Sequence, residues 1–87
     1  MPNIALARPE QSQFPLTRQE AEHAARLWFI PSNQAMTLAE WRDHLLERHL
    51  AGIECNDWQE RQSRTTAWND AFNTGVAKMI AGGVRHG

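Results

Sequence analysis

Three helix-start signals constrain the fold of this 87-residue chain more than any other feature of its sequence. Glu20 follows Thr17 by three residues, and Glu40 follows Thr37 at the same spacing. This spacing is typical of a capping box, in which the threonine hydroxyl accepts a hydrogen bond from the first helical turn and the glutamate accepts one from the threonine amide. Asn56 with the acidic residue after it is a weaker start of the same kind. The chain is therefore predicted to contain three helices.

Stop signals follow each predicted helix. Pro31-Ser32-Asn33 ends the first, Gly52 occupies the place of a left-handed cap after the second, and Gly82-Gly83 closes the third. No alternation typical of a strand is sustained. We predict an all-α fold, a compact three-helix bundle with helices at about 17–30, 37–51 and 57–81. The single domain spans 17–81, preceded by an extended N-terminal arm (1–16), either disordered or packed along the bundle, and followed by a flexible C-terminal tail (82–87) that frays.

The composition indicates the cellular compartment of this domain and the classes of partner it can bind. Cys55 is the only cysteine, so no internal disulfide can stabilise the small core, and a reducing compartment is expected. The formal net charge of −1 excludes binding to nucleic acid by charge alone. No membrane-spanning stretch and no signal peptide pattern is visible, which favours a cytoplasmic protein. Large aromatic side chains are expected to compensate for the small core; they include four tryptophans, Trp28, Trp41, Trp58 and Trp68.

Helix three has the clearest periodicity. A core stripe is predicted from the residues that share one arc, namely Trp58, Thr65, Trp68, Phe72, Val76 and Met79. Beside it, Ala67, Ala71 and Gly75 form a ridge of small residues that permits close approach of a second helix. That second helix is either helix one or two of the same chain, or helix three of a second copy in a homodimer.

Helix two carries two apolar stripes. A helix that touches two neighbours explains both, and the alternative is that one stripe binds a partner. Helix three has a polar flank that is rich in uncharged amides, whose side chains both donate and accept hydrogen bonds. The residues expected to bind a partner are Trp41, Arg42, Leu46 and Leu50 on helix two, with Gln62, Thr66 and Asn69 on helix three.

No arrangement of residues typical of catalysis is present. His44 and His49 are five residues apart, whereas two metal ligands on one helix face need a spacing of three or four. Cys55 lacks a recognisable base and oxyanion pocket. We therefore predict no enzyme activity, no metal and no cofactor.

Nucleic-acid binding is the main alternative to protein binding. Helix two, the connector Ala51–Cys55 and helix three have suitable lengths for a helix-turn-helix. Acidic residues in the first turn of helix three argue against it. The candidate contacts are Gln59, Arg61, Gln62, Arg64 and Thr66.

A short segment of the sequence also supports the nucleic-acid-binding alternative. Asn56-Asp57-Trp58, Arg64 and the run from Trp68 to Phe72 with Gly75 resemble the C-terminal part of ribosome modulation factor-type small proteins. The resemblance implies a ribosome-binding role. Asp57 stands where that family has proline and Ala71 where it has glycine, and this chain is far less basic.

We expect a small binding protein that docks on a larger protein or complex and modulates it, with inhibition as the expected effect. Size and composition favour a phage- or plasmid-type accessory factor. The alternative is a helix-turn-helix-like or ribosome-associated regulator that binds nucleic acid through helix three.

Overall fold

The structure, a computed structural model, describes residues 13–86, with side chains as far as residue 82. Its helices are α1 (Pro15–Trp28), α2 (Leu38–Gly52) and α3 (Trp58–His86), and a 3-10 turn (Pro31–Asn33) connects the first two. No strand occurs in this part of the chain, and the predicted all-α three-helix bundle is confirmed. The first twelve residues of the predicted arm and the final glycine of the predicted tail lie outside the described residues.

The start of α1 differs from the prediction. The helix begins at Pro15, whose fixed φ and missing amide suit a first helical position. Phe14 precedes it in the left-handed region at φ 55°, with no side-chain cap. The predicted capping box of Thr17 and Glu20 is therefore wrong, because Thr17 lies inside α1 and is fully buried. α1 also ends at Trp28, two residues before the predicted end.

The capping box that begins α2 is confirmed. The Thr37 hydroxyl accepts from the Glu40 amide at 3.1 Å, and the Glu40 carboxylate accepts from the Thr37 amide at 2.9 Å. At the other end the prediction is wrong, because Gly52 is the last helical residue and no described glycine has a positive φ. Glu54 takes the left-handed conformation instead, at φ 54°.

Both ends of α3 also differ from the prediction. Asp57, rather than Asn56, caps the helix, since its carboxylate accepts from the Glu60 amide at 2.8 Å. At the far end the helix continues through Gly82 to His86, so the predicted stop at the glycine pair is wrong. Glycine inside a helix costs only about 1 kcal/mol relative to alanine, which lowers the stability of a helix without ending it.

The ridge of small residues on α3 packs inside the chain. Ala67, Ala71 and Gly75 are buried. A Cβ atom added at Gly75 would lie 2.8 Å from Cβ of Ala25 and 3.1 Å from the carbonyl oxygen of Glu22, both in α1. The helix that packs on this ridge is therefore α1 of the same chain, and these three residues are not accessible as the seam of a homodimer.

Three tryptophans connect the elements of the bundle through their indole N–H groups. Trp41 of α2 donates to the carbonyl of Ala24 in α1 at 2.9 Å. Trp68 of α3 donates to the carbonyl of Arg42 in α2 at 3.2 Å, and Trp28 donates to Met36 at 3.0 Å. Each indole thus buries apolar surface while its one polar group stays satisfied.

The predicted core stripe of α3 is only partly correct. Trp68 and Phe72 are fully buried, and Val76 packs against the core. Trp58 is 66% exposed, so its assignment to the core is wrong. α3 has 29 residues whereas α1 has 14 and α2 has 15, so its two neighbours are too short to cover its whole length.

Candidate binding face of helix α3

One face of α3 is accessible and carries no charge. Stepping about 100° per residue, eight uncharged side chains share an arc of about 100° that contains no acidic or basic residue up to residue 82. Five of them are exposed and three are half-buried. We call this face the outer strip; its residues are Trp58, Gln62, Thr65, Thr66, Asn69, Asn73, Val76 and Ile80.

The outer strip has a large apolar side chain near each end. Trp58 is 66% exposed and Ile80 is 53% exposed. Beside Trp58, an open depression is lined by strip residues together with Arg61 and Ser63. Solvated helix faces are usually rich in charged side chains, and a large aromatic ring in water is characteristic of interaction surfaces. This composition is suited to binding another macromolecule.

Asn69, at the middle of the strip, is half-buried, and its Oδ1 atom lies inside the chain, where a partner cannot reach it. Its Oδ1 atom is buried without a partner, which holds for no other side-chain polar atom among the described residues. An unpartnered buried acceptor costs free energy, so natural proteins seldom keep one. Thr66, by contrast, donates its hydroxyl proton to the carbonyl of Gln62 within α3 at 3.2 Å.

The partner residues predicted on α2 do not belong to this face. Leu46 is 6% exposed and Leu50 is 1% exposed, so both are core residues and their assignment to a partner surface is wrong. Trp41 is half-buried and packs against the core. Arg42 is half-buried and pairs with Asp43 at 2.9 Å. Of the predicted residues, the structure brings together Gln62, Thr66 and Asn69.

The two arginines predicted to contact nucleic acid are bound within the chain. Arg61 contacts the carboxylate of Glu47 at 3.3 Å and the carbonyl of Cys55 at 3.4 Å. Arg64 pairs with Glu60 at 2.7 Å, and its guanidinium lies 4.4 Å from the centre of the Phe14 ring. Gln59 and Gln62 are exposed, but they carry no charge that attracts phosphate.

A buried polar network connects all three helices, and sequence analysis missed it. The Arg64 guanidinium donates to the Thr17 hydroxyl oxygen at 2.6 Å. Thr17 Oγ1 lies 2.7 Å from Nε2 of His49, and Nδ1 of His49 lies 2.7 Å from the Glu20 carboxylate. Because Arg64 supplies a proton to the hydroxyl oxygen, the hydroxyl's own proton is free for Nε2. In this arrangement Nε2 of His49 accepts from Thr17 and Nδ1 donates to the Glu20 carboxylate.

This acid, histidine and hydroxyl order is also that of nucleophilic hydrolases. Here the hydroxyl is inaccessible, since Thr17 is 0% exposed and lies under Arg64. The network links residues of α1, α2 and α3 through hydrogen bonds. His49 also stacks on Trp68, with ring centroids 5.4 Å apart. The one sequence feature that could have indicated this network was His49, which lies between the two apolar stripes of α2.

The remaining candidates for chemistry are separate from one another. His44 is exposed, whereas Cys55 is buried and its amide donates to the carbonyl of Leu50 at 3.0 Å. No group of three potential metal ligands occurs in the described part of the chain. None of the described helices is long and apolar enough to cross a membrane.

In comparisons with protein-family models, curated proteins and solved structures, nothing matches this chain.

Proposed function

We propose that this chain is a non-catalytic binding protein that docks on a larger protein or complex through the outer strip of α3 and modulates it. Inhibition is the expected effect, in the manner of a phage- or plasmid-type accessory factor acting in the cytoplasm. The observation that carries this proposal is the uncharged strip, with Trp58 exposed at one end and Ile80 exposed at the other.

The strip offers the two kinds of contact that protein interfaces combine. Trp58 supplies a large apolar surface, and aromatic residues are the most frequent anchors of protein–protein binding. Gln62 and Asn73 supply amides that donate and accept, which suits a polar rim. A protein surface is favoured over a phosphate backbone because Arg61 and Arg64 are held by acidic residues of the same chain.

Capture from a bacterial lysate tests this proposal. The tagged full chain is compared with a variant carrying Gln62→Arg and Asn73→Arg, which puts two bulky charges on the strip. The matched control carries Gln19→Arg and Gln34→Arg, at exposed amides outside the strip. Each sample is run with and without nuclease, and retained proteins are identified by mass spectrometry.

We expect the original chain and the control to retain the same protein at stoichiometric level, and the strip variant to lose it. Equal retention by the strip variant would contradict docking through this face. Recovery that disappears with nuclease would favour the nucleic-acid-binding or ribosome-associated alternative instead.

A further inference from the structure

A cleft between α1 and α2 takes no part in the proposed function. Residues from all three helices line it, namely Glu20, His23, Leu45, Arg48, His49 and Trp68. Since His49 and Trp68 are buried, they form its base, and residues of α1 and α2 form its two sides. A second depression shares Glu20 and His23 and continues along α1 to Leu16 and Arg26. We call the two together the basic cleft; it has no residue in common with the outer strip.

The basic cleft contains the two arginines that have no carboxylate partner among the described side chains. The other four arginines and the lysine of this part of the chain each lie 3.3 Å or less from a carboxylate oxygen. Arg26 of α1 and Arg48 of α2 are exposed and make no such pair. The fold therefore leaves two positive charges un-neutralised, and both lie on the same cleft.

Internal hydrogen bonds orient the other polar side chains of the cleft. The Arg26 guanidinium lies 3.5 Å from Nδ1 of His23. Because a guanidinium only donates, Nδ1 accepts, and Nε2 of His23 carries the ring proton and can donate it to a ligand. Glu20 is the acidic residue of the cleft, and its carboxylate already accepts from Nδ1 of His49 at 2.7 Å. The donors around the cleft therefore outnumber its acceptors, which suits an anionic ligand.

We propose that the basic cleft binds an acidic peptide segment of a partner protein. Carboxylates of the segment pair with Arg26 and Arg48, since the planar guanidinium fork matches a carboxylate. An apolar side chain of the segment packs on Leu16, which is 49% exposed, and on half-buried Leu45. The inference goes beyond the proposed function, because it gives the chain a second docking surface that is independent of the outer strip.

The apolar and acidic residues of the cleft favour a peptide over a nucleic acid. A phosphate backbone carries a negative charge at every nucleotide, so it would place charge beside Glu20. Its phosphates also offer no apolar group to cover Leu16 and Leu45. An acidic peptide can place its carboxylates at the arginines and an apolar side chain at the leucines, and it has no need to carry charge at every residue.

Fluorescence anisotropy on the full chain tests this inference. The probe is a short fluorescein-labelled peptide of glutamate and leucine, and the control probe has glutamine in place of glutamate. We expect the control probe to bind about tenfold more weakly or worse, because it cannot pair with the arginines. A single-stranded oligonucleotide of the same charge is the third probe. Tighter binding of the oligonucleotide than of the acidic peptide would overturn the assigned class of ligand.

Charge-matched variants locate the site. Arg26→Gln combined with Arg48→Gln removes both unpaired arginines and should weaken binding of the acidic probe by about tenfold or more. The control combines Arg61→Gln with Lys78→Gln, which removes the same charge from two cations outside the cleft that pair with Glu47 and Glu22. It should change binding by less than about twofold, because exposed charges far from the ligand are screened. Equal weakening in the two variants would show attraction by net charge alone and would overturn the site.

Charge reversal gives a result that loss of folding cannot imitate. Arg26→Glu combined with Arg48→Glu should lose the acidic probe and bind the same peptide with lysine in place of glutamate. The inference would be overturned if the original chain bound no acidic probe at concentrations up to about 1 mM, the range of weak specific binding. The strip variant, Gln62→Arg with Asn73→Arg, should bind the acidic probe at least as well as the original chain. Failure of the cleft is therefore distinguishable from failure of the proposed function.

Discussion

The inner and outer faces of α3 differ in how far the rest of the chain covers them. On the inner face, Trp68 is buried, its indole N–H bonded to α2 and its ring stacked on His49. On the outer face, Trp58 is 66% exposed and Ile80 is 53% exposed. The inner face includes Arg64, whose guanidinium is bonded within the chain, whereas the outer strip carries no charged residue. The difference is that α1 and α2 cover the inner face, whereas the outer face is exposed to solvent at Trp58 and Ile80.

The two tryptophans of α3 provide the largest contrast. Trp68→Ala should lower the free energy of unfolding by about 3–5 kcal/mol, because it leaves a cavity at the centre of the core. Trp58→Ala should change it by no more than about 0.5 kcal/mol, as at an ordinary exposed site. Urea denaturation followed by circular dichroism measures both. Similar losses in the two variants would remove the distinction between the faces.

The two threonines give the next contrast. Thr17→Val keeps the shape of the side chain but leaves His49 and Arg64 without the hydroxyl between them. We expect a loss of about 2–3 kcal/mol, since buried polar groups then lack a partner. Thr66→Val removes a hydroxyl from the outer strip, where water replaces it, and should cost less than about 0.5 kcal/mol. Equal costs would show that the network does not stabilise the bundle.

The two glycines of α3 should respond with opposite sign. Gly75→Ala places a methyl group 2.8 Å from Ala25, so the helices have to separate. The cost of overpacking exceeds the gain in helix propensity, and a net loss of about 1–2 kcal/mol is expected. Gly82→Ala meets no atom within 4 Å and should stabilise the chain by up to about 1 kcal/mol. Thermal melting of the two variants checks the sign, and a stabilising Gly75→Ala would contradict the close approach of α1 and α3.

Local sequence signals predicted the number of helices and the start of α2, because the two residues of a capping box are only three positions apart. They failed where a distant contact decides the outcome. Thr17 has the right spacing to Glu20 for a cap, yet His49 and Arg64 draw its hydroxyl into the core. The sequence of the α1 segment gives no sign of these contacts, because His49 and Arg64 are 32 and 47 positions away.

The candidate site was predictable to a similar degree. The amide-rich flank of α3 was visible from periodicity, and Gln62, Thr66 and Asn69 do lie together on the outer strip. Leu46 and Leu50 were assigned to a partner because periodicity reports which residues share a face and not what covers that face. Trp58 was predicted to be a core residue for the same reason. The sequence does not show that α3 is longer than the two helices that pack against it.

The central claim is that α3 builds the bundle with one face and leaves the other free. The most direct test is fluorine NMR of the chain labelled with 5-fluorotryptophan, with a soluble paramagnetic agent added to the dilute protein. We predict strong broadening of one resonance, identified by its disappearance in Trp58→Phe, and protection of the Trp68 resonance. A protected Trp58, or a Trp68 broadened as strongly as Trp58, would contradict the account.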